Sequence, residues 1–219
     1  INAKQFDSKN DFNKYPRNYN KDISLLKKKK IDYLYIPTDK DLYSFKTINS
    51  IYLNKFSKKL CGKFRPAHFK AVVSVVNRFL EIVKPKSIYL GMKDFQQLTL
   101  IKLHIDKKKI NTKLVVCPTI RRANGLALSS RNIKLKNNEI FEAGKIYTYL
   151  KKNKKLILHK ILNNKKSEIV NKLIKLGARK IDYIECLNIK KLELCKNTKG
   201  NFNIFIAYYM NDVRLVDNL

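Results

Sequence analysis

The stretch "SIYLGMKDFQQLTLIKLHI" (residues 87–105) passes from an apolar run to a helical pattern within a few residues. Residues 84–91 predict a short buried strand, and residues 95–109 predict a helix. In an open parallel sheet, ligands bind beyond the carboxyl ends of the strands, where a helix N-terminus exposes N–H groups. The residues at this junction that suit such a ligand are Gly91, Lys93, Asp94 and Gln97. The alternative is structural, because Asp94 and Gln97 also have the spacing of a capping box that starts the helix.

The segments on either side continue the alternation of strands and helices. "IDYLYIPT" (31–38) alternates apolar residues and ends at a proline, which predicts a strand. An amphipathic helix is predicted from Pro66 to Val83, with the proline in its first turn. "TKLVVCPTI" (112–120) predicts another buried strand. This order indicates an α/β fold with a parallel sheet.

After residue 120 the regular alternation of predicted strands and helices ends. Helices are predicted at 137–152 and 165–177, the second ending at Gly177, and strands are predicted at 180–189 and 201–210. We therefore expect a nucleotide-binding domain over residues 1–119 and a smaller α+β domain over residues 120–219.

The composition narrows the class of protein. The chain of 219 residues has 44% hydrophobic residues and a net charge of +31. Such a charge suits nucleic acid or an anionic membrane, but lysines fall in every loop and exposed face rather than on one surface interleaved with aromatics. The pattern favours compositional drift, so neither a specific nucleic acid nor a membrane is expected as a partner.

Four widely spaced cysteines and three scattered histidines form no zinc pattern, and reduced thiols are expected.

Two other motifs carry polar groups that suit a ligand. "LALSSRN" (126–132) offers serine hydroxyls and Arg131, which together suit a polyphosphate, although the same residues also start an ordinary turn. "FRPAHF" (64–69) brings Arg65 and His68 to a helix start, where a histidine is more often a capping or packing residue than a base.

Taken together, these motifs resemble the pantothenate synthetase family. "YPR" (15–17), "FRPAHF", "GMKDFQQ" (91–97), "LALSSRN" and "RLVDN" (214–218) have its order and spacing over essentially the whole chain. The resemblance implies a Rossmann-like fold similar to that of class I aminoacyl-tRNA synthetases. It also implies a carbon–nitrogen ligase that makes pantothenate from pantoate, β-alanine and ATP through a pantoyl-adenylate, with Mg²⁺ on the phosphates and no metal site of its own.

The resemblance also implies roles for individual residues. Gln5 and Gln97 are expected to bind pantoate, and Gln5 with Asn2 to border β-alanine. Lys93, Ser129 and Arg131 are expected to be catalytic, and Tyr15 and Arg65 to form the rim of the site. The expected ATP contacts are Gly91, Met92, Lys93, Asp94, Ile120, Leu128, Ser129, Ser130 and Arg131.

The chain departs from the family pattern in places. Met92 stands where the family usually has glutamate, and Ala3 where it typically has proline. The family's opening strand and its "HxGH"-type histidine motif are expected to precede Ile1, so we expect this chain to be N-terminally incomplete and weakly active or inactive alone.

Two other functions stay open at this point. One is a basic RNA-binding protein or decayed enzyme; the other is a different adenylate-forming nucleotidyltransferase. The resemblance itself suggests a homodimer, and the widely spaced cysteines favour a cytoplasmic protein.

Overall fold

The computed structural model of the protein describes residues 5–6 and 12–219. Up to residue 119 it contains the helices α1 (Tyr19–Lys28), α2 (Asp39–Tyr43), α3 (Cys61–Phe64), α4 (His68–Val83) and α5 (Phe95–Lys108), with the strands β1 (Ser87–Gly91) and β2 (Lys113–Cys117). After residue 120 it contains the helices α6 (Asn137–Lys152), α7 (Lys154–Leu162) and α8 (Lys166–Lys175), with the strands β3 (Lys180–Asn188), β4 (Glu193–Leu194), β5 (Phe202–Met210) and β6 (Val213–Asn218).

A parallel β–α–β unit organises the first half of the chain. Strands β1 and β2 pair in parallel, in register from Ser87 opposite Lys113 to Gly91 opposite Cys117, and α5 connects them. Helix α4 packs beside α5, because its apolar residues recur every three or four positions and share one buried face. The predicted α/β architecture is confirmed, but the two strands are not buried as predicted: Tyr89 is 67% exposed and Val116 is 43% exposed. The carboxyl end of β1 leads directly into a 3₁₀ turn at Met92–Asp94.

The predicted strand at residues 31–38 is wrong. This segment is an irregular, exposed chain, and the side chain of Tyr33 is 93% exposed. Alternating apolar residues match the side-chain period of a strand, but a strand also needs a neighbour for its backbone N–H and C=O groups. Within the described ranges, no strand pairs with this segment.

The second half forms an antiparallel sheet in the order β4-β3-β5-β6. The predicted strands at 180–189 and 201–210 correspond to β3 and β5, and the predicted helices to α6 and α8. Gly177 follows α8 in the left-handed region, with φ of 107°, as expected of the residue that ends a helix. Helix α7 and strand β6 were not predicted.

Both faces of this sheet are buried. Ile184, Ile204 and Ile206 pack into a core with α6, α7 and α8. On the opposite face, Tyr183 and Phe205 pack into a second core with residues of α4 and α5. The sheet therefore contacts both halves of the chain, and the gap left at its edge near β1 forms the candidate site.

The described residues contain no helix long and apolar enough to cross a bilayer. All four cysteines are free thiols, as the sequence predicts.

Candidate active site

A cavity of about 400 Å³ lies between the carboxyl end of β1 and the antiparallel sheet. It is lined by ten residues of the predicted site: Gln5, Tyr15, Arg65, Lys93, Asp94, Gln97, Leu128, Ser129, Ser130 and Arg131. Motifs that are far apart in the sequence therefore meet at one place. Gly91, Met92 and Ile120 lie outside the lining, and Asn2 is outside the described residues.

The turn at Met92–Asp94 presents Lys93 and Asp94 to this cavity. The Lys93 Nζ atom lies 3.5 Å from Asp94 Oδ1. Gly91 has an ordinary φ of −72°, and a methyl group added there would meet no heavy atom within 4 Å. The glycine is therefore not required by its own backbone conformation. Its effect is to leave the backbone open to a close neighbour.

The capping-box interpretation of this junction is wrong. Asp94 is the N-cap residue of α5, but its side chain accepts no capping hydrogen bond. An N-cap side chain reaches the helix N–H groups from an extended backbone. Asp94 has φ of −95° and ψ of 53°, because a 3₁₀ turn runs directly into the helix. Its carboxylate, 53% exposed, is left available to a ligand.

The adjacent glutamines have different surroundings. Gln96 is 6% exposed; its Oε1 accepts from the Cys61 N–H at 3.1 Å, and its Nε2 donates to the carbonyls of Phe56 at 2.9 Å and Lys59 at 2.7 Å. Gln97 is half-buried in the cavity wall and forms no side-chain hydrogen bond to another described residue. Gln96 is therefore structural, whereas the amide of Gln97 is available for a ligand.

The "LSSR" segment closes one side of the cavity. Ser129 caps the 3₁₀ turn Ser130–Lys134, its Oγ accepting from the Arg131 N–H at 3.3 Å. The Ser130 hydroxyl is 2.8 Å from the Tyr15 hydroxyl, and the Arg131 guanidinium lies 5.3 Å from the centre of the Tyr15 ring. Tyr15 thus links the chain's early residues to this segment.

Arg65 and His68 support Gln5. Arg65 Nη2 donates to the Gln5 carbonyl at 2.8 Å, and His68 Nδ1 lies 2.8 Å from the same oxygen. A carbonyl oxygen only accepts, so Nδ1 carries the proton of the imidazole. Arg65 Nη1 lies 3.4 Å from His68 Nε2, which fits a neutral ring accepting there. These two side chains therefore orient the backbone of a predicted substrate-binding residue.

The floor of the cavity contains a charged group that sequence reasoning did not single out. Arg214 Nε donates to Asp182 at 2.8 Å, and its Nη atoms lie 3.8 and 3.7 Å from the Cys61 sulfur. Burial by itself lowers the pKa of Arg214, but Cys61 and Asp182 raise it overall, so the guanidinium keeps its charge. Burial, helped by Cys61, raises the pKa of Tyr183, so its hydroxyl stays protonated. The sequence signal that could have indicated Arg214 is the motif "RLVDN" (214–218), which was used only as part of the family resemblance.

The comparisons with known proteins agree with this arrangement. A family model described as pantoate-beta-alanine ligase matches residues 1–219. The chain belongs to the pantoate-beta-alanine ligase family.

Relatives and solved structures of the family match the entire chain. A pantothenate synthetase from Pseudothermotoga lettingae is 36% identical over 100% of this chain and 78% of its own length. The crystal structure of the pantoate-beta-alanine ligase from Francisella tularensis, complexed with beta-gamma ATP and beta-alanine, has a TM-score of 0.79 and 38% identity, and covers 100% of this chain and 76% of that one. The Thermus thermophilus enzyme has a TM-score of 0.86 and 26% identity, over 100% and 80% of the two chains.

The side chains that line the cavity include cations and hydrogen-bond donors of the kind that the anionic substrates of a pantoate-beta-alanine ligase would need. Lys93, Arg65 and Arg131 provide positive charge, and Gln97 and the two serines provide neutral polar groups. Ile120 lies outside the lining, but its carbonyl accepts from the Leu128 N–H at 2.9 Å, so it adjoins the cavity wall. Its side chain is 63% exposed and available for contact with a flat ring.

Proposed function

We propose that this chain serves to join pantoate to β-alanine in a reaction driven by the cleavage of ATP to AMP and pyrophosphate, as an AMP-forming carbon–nitrogen ligase. The observation that supports this function is the cavity beside Met92–Asp94, where amide, hydroxyl and cationic side chains from four separate motifs meet. Family membership over residues 1–219 supports it independently.

The reaction has two steps. A carboxylate oxygen of pantoate bonds to the α-phosphorus of ATP, and the bond from that phosphorus to the bridging oxygen breaks, releasing pyrophosphate. The β-alanine amine then attacks the carbonyl carbon of the pantoyl-adenylate. AMP leaves, and the nitrogen loses a proton to give the amide of pantothenate.

The first step brings a carboxylate to a polyphosphate, so its main obstacle is charge. We assign Lys93, Ser129 and Arg131 to the phosphates, because cations and hydroxyl donors aimed at developing negative charge stabilise such a transition state. Lys93 is well suited, since its side chain is only 19% exposed and its neighbour Asp94 fixes it on one side. Holding both anions in line supplies much of the remaining rate.

Neutral amides suit the pantoate subsite, because a carboxylate there would repel the acid substrate. We assign Gln5 and Gln97 to pantoate, with Gln5 and Asn2 beside β-alanine. Gln5 and Gln97 both line the cavity. These amides favour a pantoate ligase over another adenylate-forming nucleotidyltransferase, which has no need of a pantoate pocket.

The remaining assignments concern the nucleotide and the rim. We assign Gly91 and Asp94 to the ribose side of ATP, Ile120 to the adenine, and Tyr15 and Arg65 to the rim. The backbone of Met92 and the "LSSR" residues Leu128, Ser129, Ser130 and Arg131 complete the nucleotide site.

Mg²⁺ fits this donor set as an ion carried by ATP. Among residues 5–6 and 12–219, no three His, Cys, Asp or Glu side chains come together as a metal site. Mg²⁺ is commonly held by one or two carboxylates together with substrate phosphates. Of the two carboxylates that line the cavity, Asp217 is engaged by Arg121 and Asp94 is assigned to the ribose, so the phosphates would hold the ion. When bound, the ion neutralises phosphate charge.

We further propose a homodimer in the cytoplasm. The family resemblance supports the dimer, and four free thiols suit a reducing compartment. Size-exclusion chromatography with light scattering measures the oligomeric state directly.

The test of the function is pyrophosphate release that requires both pantoate and ATP, measured with a version of the chain that also carries the family's N-terminal histidine motif, because the chain alone is expected to be weakly active or inactive. Lys93→Ala is expected to reduce the rate by about 100-fold or more, as for other transition-state donors. Gln97→Ala is expected to weaken pantoate binding. Lys102→Ala, on the exposed face of α5, is the matched control and keeps the wild-type rate.

Titration calorimetry with ATP and with pantoate gives a second readout that does not depend on turnover. Absence of ATP and pantoate binding by the wild-type chain, together with absence of pyrophosphate release by the version that carries the histidine motif, would refute the function. Unchanged kinetics in both variants would instead refute the residue assignments.

A further inference from the structure

Asn218 connects the last strand to the turn that presents Lys93. Its side chain is buried, the residue being 6% exposed. The Nδ2 atom donates to the carbonyl oxygens of Met92 and Lys93, each at 2.9 Å. Both protons of one amide are therefore used on successive peptide groups of the 3₁₀ turn, which fixes the orientation of both groups.

The strand that carries Asn218 is itself firmly anchored. Asp217 accepts two hydrogen bonds from Arg121, at 2.6 and 2.8 Å, and Arg121 Nη2 also donates to the Asn218 carbonyl at 3.2 Å. In the sheet, Asn218 stands opposite Phe205 of β5, whose ring packs in the core shared with α4 and α5. The amide is thus a rigid support for the short turn between β1 and α5.

We propose that Asn218 is a positioning residue for ATP binding and acts through the backbone of Met92 and Lys93. This proposal rests on the proposed function, since it concerns the same cavity. Asn218 sets the direction in which Lys93 leaves the turn, and it couples the antiparallel sheet to the nucleotide loop.

The same contact is compatible with methionine at position 92. Asn218 binds the carbonyl oxygen of Met92, a group that every amino acid has. The Met92 side chain is 38% exposed and is not part of the cavity lining. The loop geometry is therefore maintained without the glutamate that the family usually has there.

The test compares Asn218→Ala and Asn218→Asp with Asn77→Ala. Asn77 is an equally buried amide, 0% exposed, in α4 and outside the cavity lining. Loss of two neutral hydrogen bonds is expected to raise the Kd and the KM for ATP by about 10-fold, with a smaller change in the KM for β-alanine. Asn218→Asp is expected to be worse, because its carboxylate faces two carbonyl oxygens. Asn77→Ala lowers stability without altering the ATP constants.

Amide hydrogen exchange separates this inference from the function. Faster exchange at residues 92–95 in the Asn218 variants, but not in Asn77→Ala, supports the tether. If the Asn218 variants lose stability alone, with the exchange of this turn and the ATP Kd unchanged, the inference is overturned. A wild type that binds no ATP refutes the proposed function, and the tether is then judged by exchange alone.

Discussion

At the scale of single residues, the neighbouring glutamines of "KDFQQ" give a test of which amide serves the fold. Gln96 pairs with three backbone groups, whereas Gln97 pairs with none of the described residues. Gln96→Leu leaves buried N–H and C=O groups without partners, so the free energy of unfolding is expected to fall by about 2–4 kcal/mol. Gln97→Leu is expected to change it by less than ~0.5 kcal/mol, as for a site without structural bonds.

Urea unfolding of both variants measures this difference, and pantoate titration should give the opposite order. Equal stability losses in the two variants would contradict the assignment. The sequence alone identified Gln97 through the resemblance, and both glutamines look alike in the pattern. What separates them is the position of the chain around Phe56 and Lys59, about forty residues upstream, which no local pattern predicts.

Asp94 is a second residue whose surroundings the local sequence pattern does not predict. Its spacing to Gln97 matches a capping box, and the pattern cannot report that a 3₁₀ turn precedes the helix and rotates the carboxylate away. The meeting of the separate motifs at one cavity was predictable from the resemblance, while the roles of the individual residues stay predictions. The support provided by His68, Arg214 and Asn218 was not predictable, because it depends on contacts between distant elements.

At the scale of elements, α4 and α5 are joined by a buried polar network. His104 Nδ1 accepts from the Tyr52 N–H at 3.2 Å, so Nε2 carries the proton and donates to Asn77 Oδ1 at 2.9 Å. Asn77 Nδ2 donates to Glu81 at 2.9 Å. Burial raises the pKa of Glu81, but donors from Asn49, Ile48 and Asn77 outweigh it, so the pKa lies below its ordinary value.

This network predicts a loss of stability on mild acidification. Burial, reinforced by Lys108, lowers the pKa of His104 below the value of an exposed histidine. As the pH falls through about 6.5, the unfolded chain gains a proton at this residue that the folded chain does not accept. The stabilisation present above that pH is therefore lost, with a slope of up to about 1.4 kcal/mol per pH unit.

Urea unfolding between pH 7.5 and pH 5 measures the slope. His104→Gln keeps a donor and an acceptor but cannot titrate, so its stability is expected to vary less over this range. His159→Gln, on the exposed side of α7, serves as the control and should retain the wild-type slope. A slope that survives in His104→Gln would assign the effect to other groups.

The elements themselves were predicted unevenly, and the reason is physical. The predicted start of helix α4 differs from the observed start by two residues, and the predicted end is the observed end. A long amphipathic pattern with a period of 3.6 residues is typical of an α-helix alone. The strand predicted at residues 31–38 is absent because alternating apolar residues indicate only which face of a strand would be buried. They do not show that a second strand is available to pair with it. Strand β6 was missed because its apolar residues, Val213, Leu215 and Val216, neither alternate strictly nor form a continuous apolar run.

At the scale of the whole molecule, strand–helix alternation was sufficient for the α/β class. It did not show that the antiparallel sheet is buried on both faces, so that β5 contacts α4 and α5 as well as α6 to α8. A strand buried on both faces reads as a continuous apolar run, as "IFIAYYM" does, and such a run does not say what covers each face. The site depends on this second interface.

The overall charge gives the last prediction. The chain has 48 Lys and Arg residues against 17 Asp and Glu residues, a net charge of +31. Repulsion among such charges destabilises the compact state, and salt weakens it by shortening the Debye length from about 30 Å at 0.01 M to about 8 Å at 0.15 M. Raising the salt over this range is expected to raise Tm by about 2–4 °C, equivalent to ~1 kcal/mol for a chain of this size.

Thermal unfolding in sodium chloride and in potassium chloride tests whether charge screening causes the rise in Tm. Screening depends on ionic strength and not on the cation, so both salts should give the same rise. Replacing Lys27, Lys28 and Lys29 by glutamine removes three exposed charges at the end of α1 and should reduce the dependence on salt. A Tm that is flat or falls with salt would mean that the charges are already balanced locally by pairs such as Arg121–Asp217 and Arg214–Asp182. The positive charge would then serve attraction of the anionic substrates at no cost in stability, and the on-rate for ATP would be the quantity that falls with salt.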